Sequence, residues 1–449
     1  MYMGSSSNFV NDVMLYNNLG AGSVYNKPES NATQWSLMSY LARINYTLKH
    51  KYLFSVNARV DGSSRFGTNN KYGFFPSASA GWRISEEAFM EPVKEVISNL
   101  KLRASYGFTG NTEIGVYESL ATLGTSNWIL GNQLVSGFFP NKIPNPDLKW
   151  ERTGQFDIGL DLGLFNNRLR ITTDYYKKKT TDLLYSVAVP ATSGYQTMLK
   201  NIGSIENQGY ELSIESDNLT GAFSWTTAFN IAFNRNKVLE LGGEEYKEMA
   251  EGDGHLKTGS VRRLIVGEPI GVFYGYRFDG IFHNEEECKQ QTSSASPIGV
   301  GLRRYKDLNG DGKVDAANDR EILGDANPKF FGGLTNTFAY KGFELNVFLQ
   351  YSYGNKILNY NAMELENPTG GQNAYADMVN RWTPENPSNI YPKATTNRAL
   401  LVSDRFIEDG SYLKLKTLSL SYSFPKINLK HIQGLRLYVT GQNLLTWTK

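Results

Sequence analysis

The chain has 449 residues, with 46 Lys and Arg against 44 Asp and Glu, so its charge gives no reason to expect a nucleic-acid partner. No stretch approaches the roughly 20 consecutive apolar residues that a membrane-spanning helix needs. A single cysteine, Cys288, excludes a disulfide framework and a cysteine-based zinc site. The 43 glycines, 27 tyrosines and 24 phenylalanines favour a large β architecture.

Apolar and polar residues alternate with a period of two along most of the chain. In residues 156–164, for example, Ile158 and Leu160 share one face and Asp157 lies on the other. This period predicts strands and not helices. Twelve such strands are predicted, at residues 37–48, 52–61, 73–84, 100–109, 156–164, 169–179, 208–216, 223–234, 329–340, 343–352, 411–424 and 435–444.

The predicted strands are long enough to cross a membrane. Ten residues of strand rise roughly 33 Å, whereas strands of soluble sandwiches usually have about five or six residues. One face of apolar side chains and one face of small polar side chains are typical of an antiparallel transmembrane β-barrel with a water-filled interior. We expect one set of side chains to face lipid: Ile158, Leu160, Phe229, Phe233 and Val347. We expect Asp157, Asn230 and Asn346 to face the interior of the barrel. On periodicity alone, a soluble antiparallel sheet remains the alternative.

Short and long connections alternate along the chain. Outer-membrane barrels have this arrangement, with short periplasmic turns and long extracellular loops. The segment at 85–99 falls where a periplasmic turn is due and is expected to hold a helical turn. The long loops, predicted to be extracellular, are residues 112–146, 180–206, 239–327 and 354–410.

Two segments depart from this simple order. Residues 271–282 have a strand pattern, but one spanning strand here would break the alternation of outward and inward strands. They are therefore predicted to form strand structure within an extracellular excursion. In residues 411–424 the apolar face switches between Leu415 and Leu418, which predicts a β-bulge near Lys416–Thr417.

Seven short motifs occur in order over most of the chain. They are Asp61-Gly-Ser-Ser-Arg-Phe-Gly67, Phe75-Pro-Ser-Ala-Ser-Ala-Gly-Trp-Arg-Ile-Ser85, Asn145-Pro-Asp-Leu-Lys-Trp-Glu-Arg-Thr153, residues 201–212, residues 271–282, Arg381-Trp-Thr-Pro-Glu-Asn-Pro387 and Gly441-Gln-Asn-Leu-Leu-Thr-Trp-Thr448. Each motif alone is weak, but together they resemble the SusC/RagA-type TonB-dependent transporters of Bacteroidetes outer membranes.

The resemblance implies a barrel of about 22 strands with an N-terminal plug and a signal peptide. The start at Met1 has neither a basic region nor an apolar region of a signal peptide. The plug and the last barrel strand are also not recognisable. Residues 1–449 are therefore expected to be the C-terminal part of such a barrel, with about twelve spanning strands, in the cell outer membrane.

The function implied by the resemblance is active import of oligosaccharides or peptides. Energy would come from the TonB complex, and a SusD-like surface lipoprotein would sit on the extracellular loops. Two alternatives of other classes stay open: a secreted, calcium-stabilised glycan-binding β protein, and a passive porin. The long apolar faces argue against the secreted protein, and the family motifs argue against the porin.

Residues 307–319 form the sharpest chemical motif. Oxygen donors at positions 1, 3, 5 and 9, with Gly312 at position 6, suit a calcium loop. Asn318 occupies position 12, so the acidic residue that follows comes one residue late. The alternative is a solvated turn. The candidate ligands of this possible structural calcium, with Lys313 offering its backbone carbonyl, are Asp307, Asn309, Asp311, Lys313, Asp315 and Asp319.

Aromatic side chains in the long loops suit stacking on a sugar ring or packing against a partner. Ordinary packing within the loops is an equal alternative. These residues are Trp128, Phe138, Phe139, Tyr195, Tyr360 and Tyr375. No nucleophile–base pair, phosphate loop or carboxylate dyad is recognisable, so no enzyme and no required cofactor are expected.

Overall fold

Twelve long antiparallel strands form one sheet, which we call the wall. The computed structural model describes residues 2–9, 18–26, 29–249, 260–366, 373–395, 401–424 and 434–448. The strands follow each other across the wall in chain order, which is an up-and-down topology. Their bounds are β1 Leu37–Leu48, β2 Tyr52–Ser63, β3 Tyr72–Arg83, β4 Ile97–Asn111, β5 Glu151–Leu164, β6 Leu169–Thr181, β7 Ser204–Thr220, β8 Phe223–Glu240, β9 Phe330–Tyr340, β10 Phe343–Tyr353, β11 Tyr412–Phe424 and β12 Leu435–Thr448.

The predicted all-β, antiparallel fold is confirmed, and each of the twelve predicted strands corresponds to one strand of the wall. Two α-helices are present in the described ranges, α1 at Glu285–Gln290 and α2 at Tyr360–Leu365. Neither helix, nor any other in the part of the chain that the structure describes, is long and apolar enough to cross a membrane.

The strand pairing separates the wall into an apolar face and a polar face. Residues directly opposite each other on paired strands share a face. One row across four strands contains Ile158, Tyr175, Tyr210 and Phe233. The row one residue along contains Gly159, Asp174, Glu211 and Ala232. The predicted division is confirmed for all eight residues named above: Ile158, Leu160, Phe229, Phe233 and Val347 lie on the apolar face, and Asp157, Asn230 and Asn346 lie on the polar face.

The apolar face is continuous through β11 because of a bulge. Leu349 of β10 pairs with Leu415, and Phe348 pairs with Thr417, so Lys416 has no partner there. Against β12 the register shifts at the same place, between Leu415 and Thr417. The predicted bulge is therefore confirmed, and it moves the later leucines of β11 onto the face shared by its neighbours.

The wall has one end with short connections and one end with long connections. At the short-connection end, β9 and β10 are joined by Lys341 and Gly342, with φ of 47° and 88°. Positive φ at both central residues is typical of the type I′ hairpin turn. The predicted helical turn between β3 and β4 is present as two 3-10 segments, Ile84–Glu86 and Ala88–Val93.

The long connections carry small sheets of their own. They span residues 112–150, 182–203, 241–329 and 354–411, of which 250–259, 367–372 and 396–400 lie outside the described residues. Residues 272–276 and 278–281 pair within these small sheets and not with the wall, as predicted. The antiparallel pairs are Thr122–Leu130 with Gln133–Lys142, Leu184–Ala188 with Thr197–Asn201, Tyr246–Glu248 with Arg262–Ile265, Arg262–Ile265 with Val272–Tyr276, Val272–Tyr276 with Arg320–Asp325, Phe278–Ile281 with Arg303–Tyr305, and Lys356–Leu358 with Ile407–Asp409.

The remaining described elements are short. A parallel pair joins Thr292–Ser293 to Lys313–Val314. Near the start of the chain, Tyr2–Met3 pairs with Glu29–Ser30, and Ser6–Ser7 with Val24–Tyr25. Further 3-10 segments are Leu19–Ala21, Ala191–Ser193, Ala376–Asn380 and Asp404–Phe406.

Buried hydrophobic clusters lie under the long connections. One packs Phe66, Phe75, Leu148 and Trp150 together, next to the outer ends of β2, β3 and β5. Another joins Met363 of α2 to Val261, Ala362, Val402 and Phe406. These clusters give the loops a packed interior, so the long-connection end is a folded platform on top of the wall.

Glu87 fixes the segment between β3 and β4 to the wall. Its carboxylate accepts hydrogen bonds from Lys51 Nζ at 2.8 Å, Tyr52 Oη at 2.7 Å and Trp82 Nε1 at 3.1 Å. The Lys51 ammonium, with the tyrosine and tryptophan donors, lowers the pKa of Glu87 from 4.5 to about 2. The ionised carboxylate therefore holds residues from three separate positions at the short-connection end.

Neighbouring residues of β10 test the division of the two faces. We expect Val347→Arg to destabilise the folded protein in a membrane by about 2–4 kcal/mol, because it places a charge in hydrocarbon near the middle of the strand. Asn346→Arg is the matched control on the polar face and should cost much less. The free energy of unfolding in lipid vesicles measures both, and equal costs would contradict the assignment of faces.

The Glu87 contacts predict an acid-sensitive step. Because the folded pKa is lowered, the stabilisation is present above pH 4.5 and is lost as the pH falls toward about 2. We expect the melting temperature of the wild-type protein to fall more between pH 4.5 and 2 than that of Glu87→Gln. Glu91→Gln, which alters an exposed carboxylate, serves as the control and should follow the wild type.

Candidate functional site

Charged side chains of β4, β5 and β6 meet on the polar face of the wall. Arg103 donates to Asp174 at 2.9 Å and to Asp161 at 3.1 Å. Lys101 lies 3.5 Å from Asp161, and Asp157 lies 4.0 Å from Arg103. We call these five residues the wall charge cluster. Its members meet because Asp157 and Asp161 are four positions apart on β5 and therefore share a face, and Arg103 is in register with Gly159 between them.

The wall charge cluster depends on a glycine. Gly159 lies directly opposite both Arg103 and Asp174. A Cβ at this position would collide with the Arg103 guanidinium and the Asp174 carboxylate. Gly159 therefore leaves the space in which the two side chains approach each other across β5.

The cluster has more acidic than basic groups. Three carboxylates stand against one guanidinium and one ammonium, which gives a formal charge of −1 for the five side chains. Between 20% and 31% of each side chain is exposed, so the groups are accessible from the polar face. The arrangement can hold a polar or cationic group that approaches the wall from this side.

A shallow groove of about 390 Å³ runs beside the cluster on the polar face. Small hydroxyl side chains, Ser55, Ser79 and Ser105, line it together with Arg103 and Asp157. Small residues leave room next to the wall, and the hydroxyls offer both donors and acceptors. The groove therefore offers polar contacts to a polar segment or solute that approaches this part of the wall.

Arg103 is a member of this cluster that the sequence pattern does not reveal. The alternation in β4 places it on the polar face with Ser105, and this was the available signal. The contact with Asp174, however, depends on the register of β4 and β6 against β5, which lies between them. A periodic pattern within one strand gives no information about that register.

The predicted calcium loop folds into a compact turn held by its own backbone. Asp307 accepts from the backbone N–H groups of Gly310 and Gly312, each at 2.7 Å. Asp311 accepts from the N–H of Lys313 at 2.8 Å, and Asn309 accepts from the N–H of Asp311 at 3.2 Å. These are Asx-type hydrogen bonds, which close such turns without a ligand.

Asp319 is fully buried and has a structural role. One of its carboxylate oxygens accepts from Leu308 N–H at 2.8 Å, and the other accepts from Asp315 N–H at 2.7 Å. Asp315 in turn accepts from the N–H groups of Ala317 and Asn318, and these bonds with the Lys313 ammonium lower its pKa. The late acidic residue therefore ties the start of the loop to its end.

The oxygen donors suit Ca²⁺, but their arrangement does not form a recognisable ion site. In the described part of the chain, no group of three or more His, Cys, Asp or Glu side chains comes together closely enough to hold a metal ion. Calcium binding by residues 307–319 stays a prediction. A calcium ion in this loop would have to bind the lone pairs of these carboxylates that the backbone N–H groups leave unused.

The six loop aromatics lie in different surroundings. Phe139 and Tyr195 line one cleft of about 530 Å³ between the two hairpins at 122–142 and 184–201. Glu118 and Lys142, which form an ion pair, line the same cleft. Tyr360 packs against the hydrophobic cluster around Met363. Trp128, Phe138 and Tyr375 are exposed.

The hairpin of residues 122–142 exposes an unusual apolar surface. Residues 119–141 contain no Asp, Glu, Lys or Arg. Four large apolar side chains on one face are each more than two-thirds exposed: Leu123, Ile129, Leu134 and Phe138. A contiguous exposed apolar surface of this kind marks an interaction site. The absence of charge over 23 residues was the signal in the sequence.

Comparisons with known proteins identify relatives over almost the whole chain. A family model described as "TonB dependent receptor-like, beta-barrel" matches residues 2–444. The chain is 40% identical over 443 residues to TonB-dependent receptor P3 of Formosa agariphila, covering 98% of this chain and 44% of the relative. It is 32% identical over 431 residues to TonB-dependent receptor SusC of Bacteroides thetaiotaomicron, covering 92% of this chain and 40% of the relative.

A solved structure has the same fold. The RagAB peptide transporter superposes with a TM-score of 0.80 and 27% identity, covering 98% of this chain and 47% of that chain. The chain thus spans less than half the length of each of these relatives.

Asp319 gives a test of the loop structure. Asp319→Ala removes the acceptor of two partly buried N–H groups, and an unsatisfied group costs up to about 1–3 kcal/mol when it is fully buried. We expect hydrogen exchange at the amides of Leu308 and Asp315 to become at least about tenfold faster. Asp311→Ala changes an exposed carboxylate of the same loop and should leave these two amides protected. Unchanged exchange in Asp319→Ala would contradict the structural role.

Calcium binding can be tested in the same experiment. If residues 307–319 bind calcium, millimolar Ca²⁺ should slow exchange across the loop in the wild type, consistent with affinities of about 10⁻⁴–10⁻³ M in extracellular modules. Asp307→Ala should abolish this response. Identical exchange with and without Ca²⁺ would show that the motif is only a turn.

Proposed function

We propose that this chain, which belongs to the TonB-dependent receptor family as part of its β-barrel, serves active import of nutrients across the outer membrane. The observation that carries the proposal is the wall, a sheet of twelve long strands with one apolar and one polar face, in a chain with these relatives. The apolar face contacts lipid, and the polar face lines the passage.

The edges of the wall support the proposal that this chain is part of a larger barrel. β1 and β12 each pair with one wall strand only, in the part of the chain that the structure describes. An unpaired strand edge in hydrocarbon leaves backbone N–H and C=O groups without partners, which lipid does not tolerate. Further strands of the whole protein pair with these edges, and its plug occupies the wet interior.

The wall charge cluster and the groove beside it lie on the inner side of this passage. They provide hydroxyl, carboxylate and guanidinium groups for the plug or for a passing solute. Energy enters from the TonB complex, as the family name implies. In this role the residues only need to bind a solute reversibly. No bond has to be cleaved, so the proposed role is that of a transporter and not of an enzyme.

The partner we propose is a SusD-like surface lipoprotein on the long-connection end. The support is the resemblance to SusC together with the exposed apolar hairpin of residues 122–142. Without a partner, Leu134 and Phe138 would stay in water at a cost of about 1.5–3 kcal/mol each relative to full burial. A protein lid on this end would cover them.

The substrate class we propose is an oligosaccharide or a peptide. The solved relative with a TM-score of 0.80 is named a peptide transporter, and the wider class that includes oligosaccharides comes from the resemblance of the sequence motifs. The cleft between the two hairpins offers Phe139 and Tyr195 with a charged pair beside them. Aromatic faces can stack on sugar rings, and the charged pair with the strand edges can hydrogen-bond a peptide.

Growth and uptake in the native host test the function. Deletion of the gene should abolish growth on one oligosaccharide or peptide mixture as the sole nutrient, and the wild-type gene should restore it. Collapse of the proton-motive force should stop uptake of that nutrient in the wild type. Uptake that continues without the proton-motive force would favour a passive porin, and recovery of the protein in the culture medium would favour the secreted alternative.

The hairpin gives a separate test of the partner. Phe138→Asp places a charge in the apolar surface and should weaken co-purification with the surface lipoprotein at least about tenfold, which is 1.4 kcal/mol. Ser136→Asp introduces the same charge on the same face, two residues away, and should have a smaller effect. Equal binding by wild type and Phe138→Asp would exclude this surface as the lipoprotein site.

A further inference from the structure

The segment between β3 and β4, residues 84–96, exposes apolar side chains at the short-connection end. Phe89 is 64% exposed, and Val93 and Val96 are 41% and 50% exposed. It is the longest fully described connection at this end, since the links at 49–51, 165–168, 221–222 and 341–342 have two to four residues. A tight turn would join the two strands equally well, so the additional length serves another purpose.

The segment is attached on the apolar side of the wall. Glu87 is held by Tyr52 and Trp82, which lie directly opposite each other. Trp82 is in turn opposite Leu102, and Leu102 is opposite Leu160 of the apolar face. Both aromatic rings therefore belong to the surface that contacts lipid. Their polar atoms point to Glu87, which places the carboxylate at the edge of that surface.

A neighbouring turn extends the exposed surface. Phe165, which follows β5, donates its backbone N–H to the carbonyl of Val96 at 2.8 Å. Its side chain is 53% exposed. We call Phe89, Val93, Val96 and Phe165 the rim patch. The patch adjoins the lipid-contacting wall through Trp82 on one side and the end of β5 on the other.

Aromatic residues further along this end of the wall indicate the level at which the rim patch lies. Phe223 stacks on Phe338 with ring centroids 6.3 Å apart, and Phe343 lies 4.5 Å from Tyr422. These rings are on or next to the apolar face at the ends of β8 to β11. Aromatic residues at the ends of spanning strands mark the level of the lipid headgroups. The rim patch lies at the same end of the strands.

We propose that residues 84–96, with Phe165, form an interfacial anchor that lies in the headgroup region of the leaflet at the short-connection end. The occupant of the rim patch is a lipid surface, because the patch is continuous with the lipid-contacting face. The exposed ion pair between Glu91 and Lys94, at 3.5 Å, keeps the segment at headgroup depth and prevents deeper insertion. The Glu87 contacts set the orientation of the anchor. The proposal rests on outer-membrane location and is independent of substrate or import.

Depth-dependent quenching tests the anchor in the whole protein. Phe89→Cys, in a background in which Cys288 and any other cysteine are replaced by serine, is labelled with an environment-sensitive thiol fluorophore. The protein is reconstituted in phosphatidylethanolamine vesicles with or without bromine on the acyl chains. We expect brominated lipid to quench the fluorophore at least about twofold, with a blue-shifted emission relative to water, because the site lies at the membrane interface.

Two control positions decide the outcome. Ile158→Cys on the apolar face must be quenched, which shows that the protein is inserted. Val379→Cys is 76% exposed on the long-connection platform and should not be quenched. Quenching of at least about twofold at Phe89→Cys, up to the level seen at Ile158→Cys, supports the anchor. A signal at Phe89→Cys equal to that at Val379→Cys, with Ile158→Cys quenched, overturns it and leaves a protein partner or a second copy as the occupant.

Discussion

The need to pair every backbone N–H and C=O group within hydrocarbon is the constraint on which this structure depends. A strand in lipid has no water to accept its hydrogen bonds, so it must be bonded on both sides by neighbouring strands. The wall does this for its ten inner strands through antiparallel ladders, whose register shifts lie near Leu164, near the two ends of β7 and at Lys416. The same constraint forces irregular backbone into the two ends, where water is present.

Side-chain chemistry follows from this arrangement of the backbone. Because successive residues point to opposite faces, each strand must place apolar groups outward and can place polar groups inward. Asn336 is an instructive exception, since it lies opposite Val347 on the apolar face. Its side-chain oxygen accepts from Trp225 Nε1 at 2.9 Å and from Thr227 Oγ1 at 2.7 Å. A polar group on the lipid side is thus stabilised by local partners, as its burial requires.

The wall was predictable from sequence because a period of two is a property of one strand, readable without its neighbours. This reasoning identifies all twelve strands, the bulge in β11 and the exclusion of residues 271–282 from the wall. Contacts between strands were not predictable in the same way. The pairing of Arg103 with Asp174 depends on register across β5, and two of the donors to Glu87, Lys51 and Tyr52, come from a distant part of the sequence. In the loops no period exists, so the backbone role of Asp319 could not be separated from that of a metal ligand.

Cysteine scanning along β8 in intact outer membranes tests the central claim most directly, because it reads both faces of one strand. Single cysteines at residues 228–233 would be labelled with a lipid-soluble reagent and with a water-soluble reagent. The account predicts strict alternation, with Phe229, Ile231 and Phe233 labelled from lipid and Ala228, Asn230 and Ala232 labelled from water. Labelling by the water-soluble reagent at all six positions would contradict a wall that separates lipid from a wet interior.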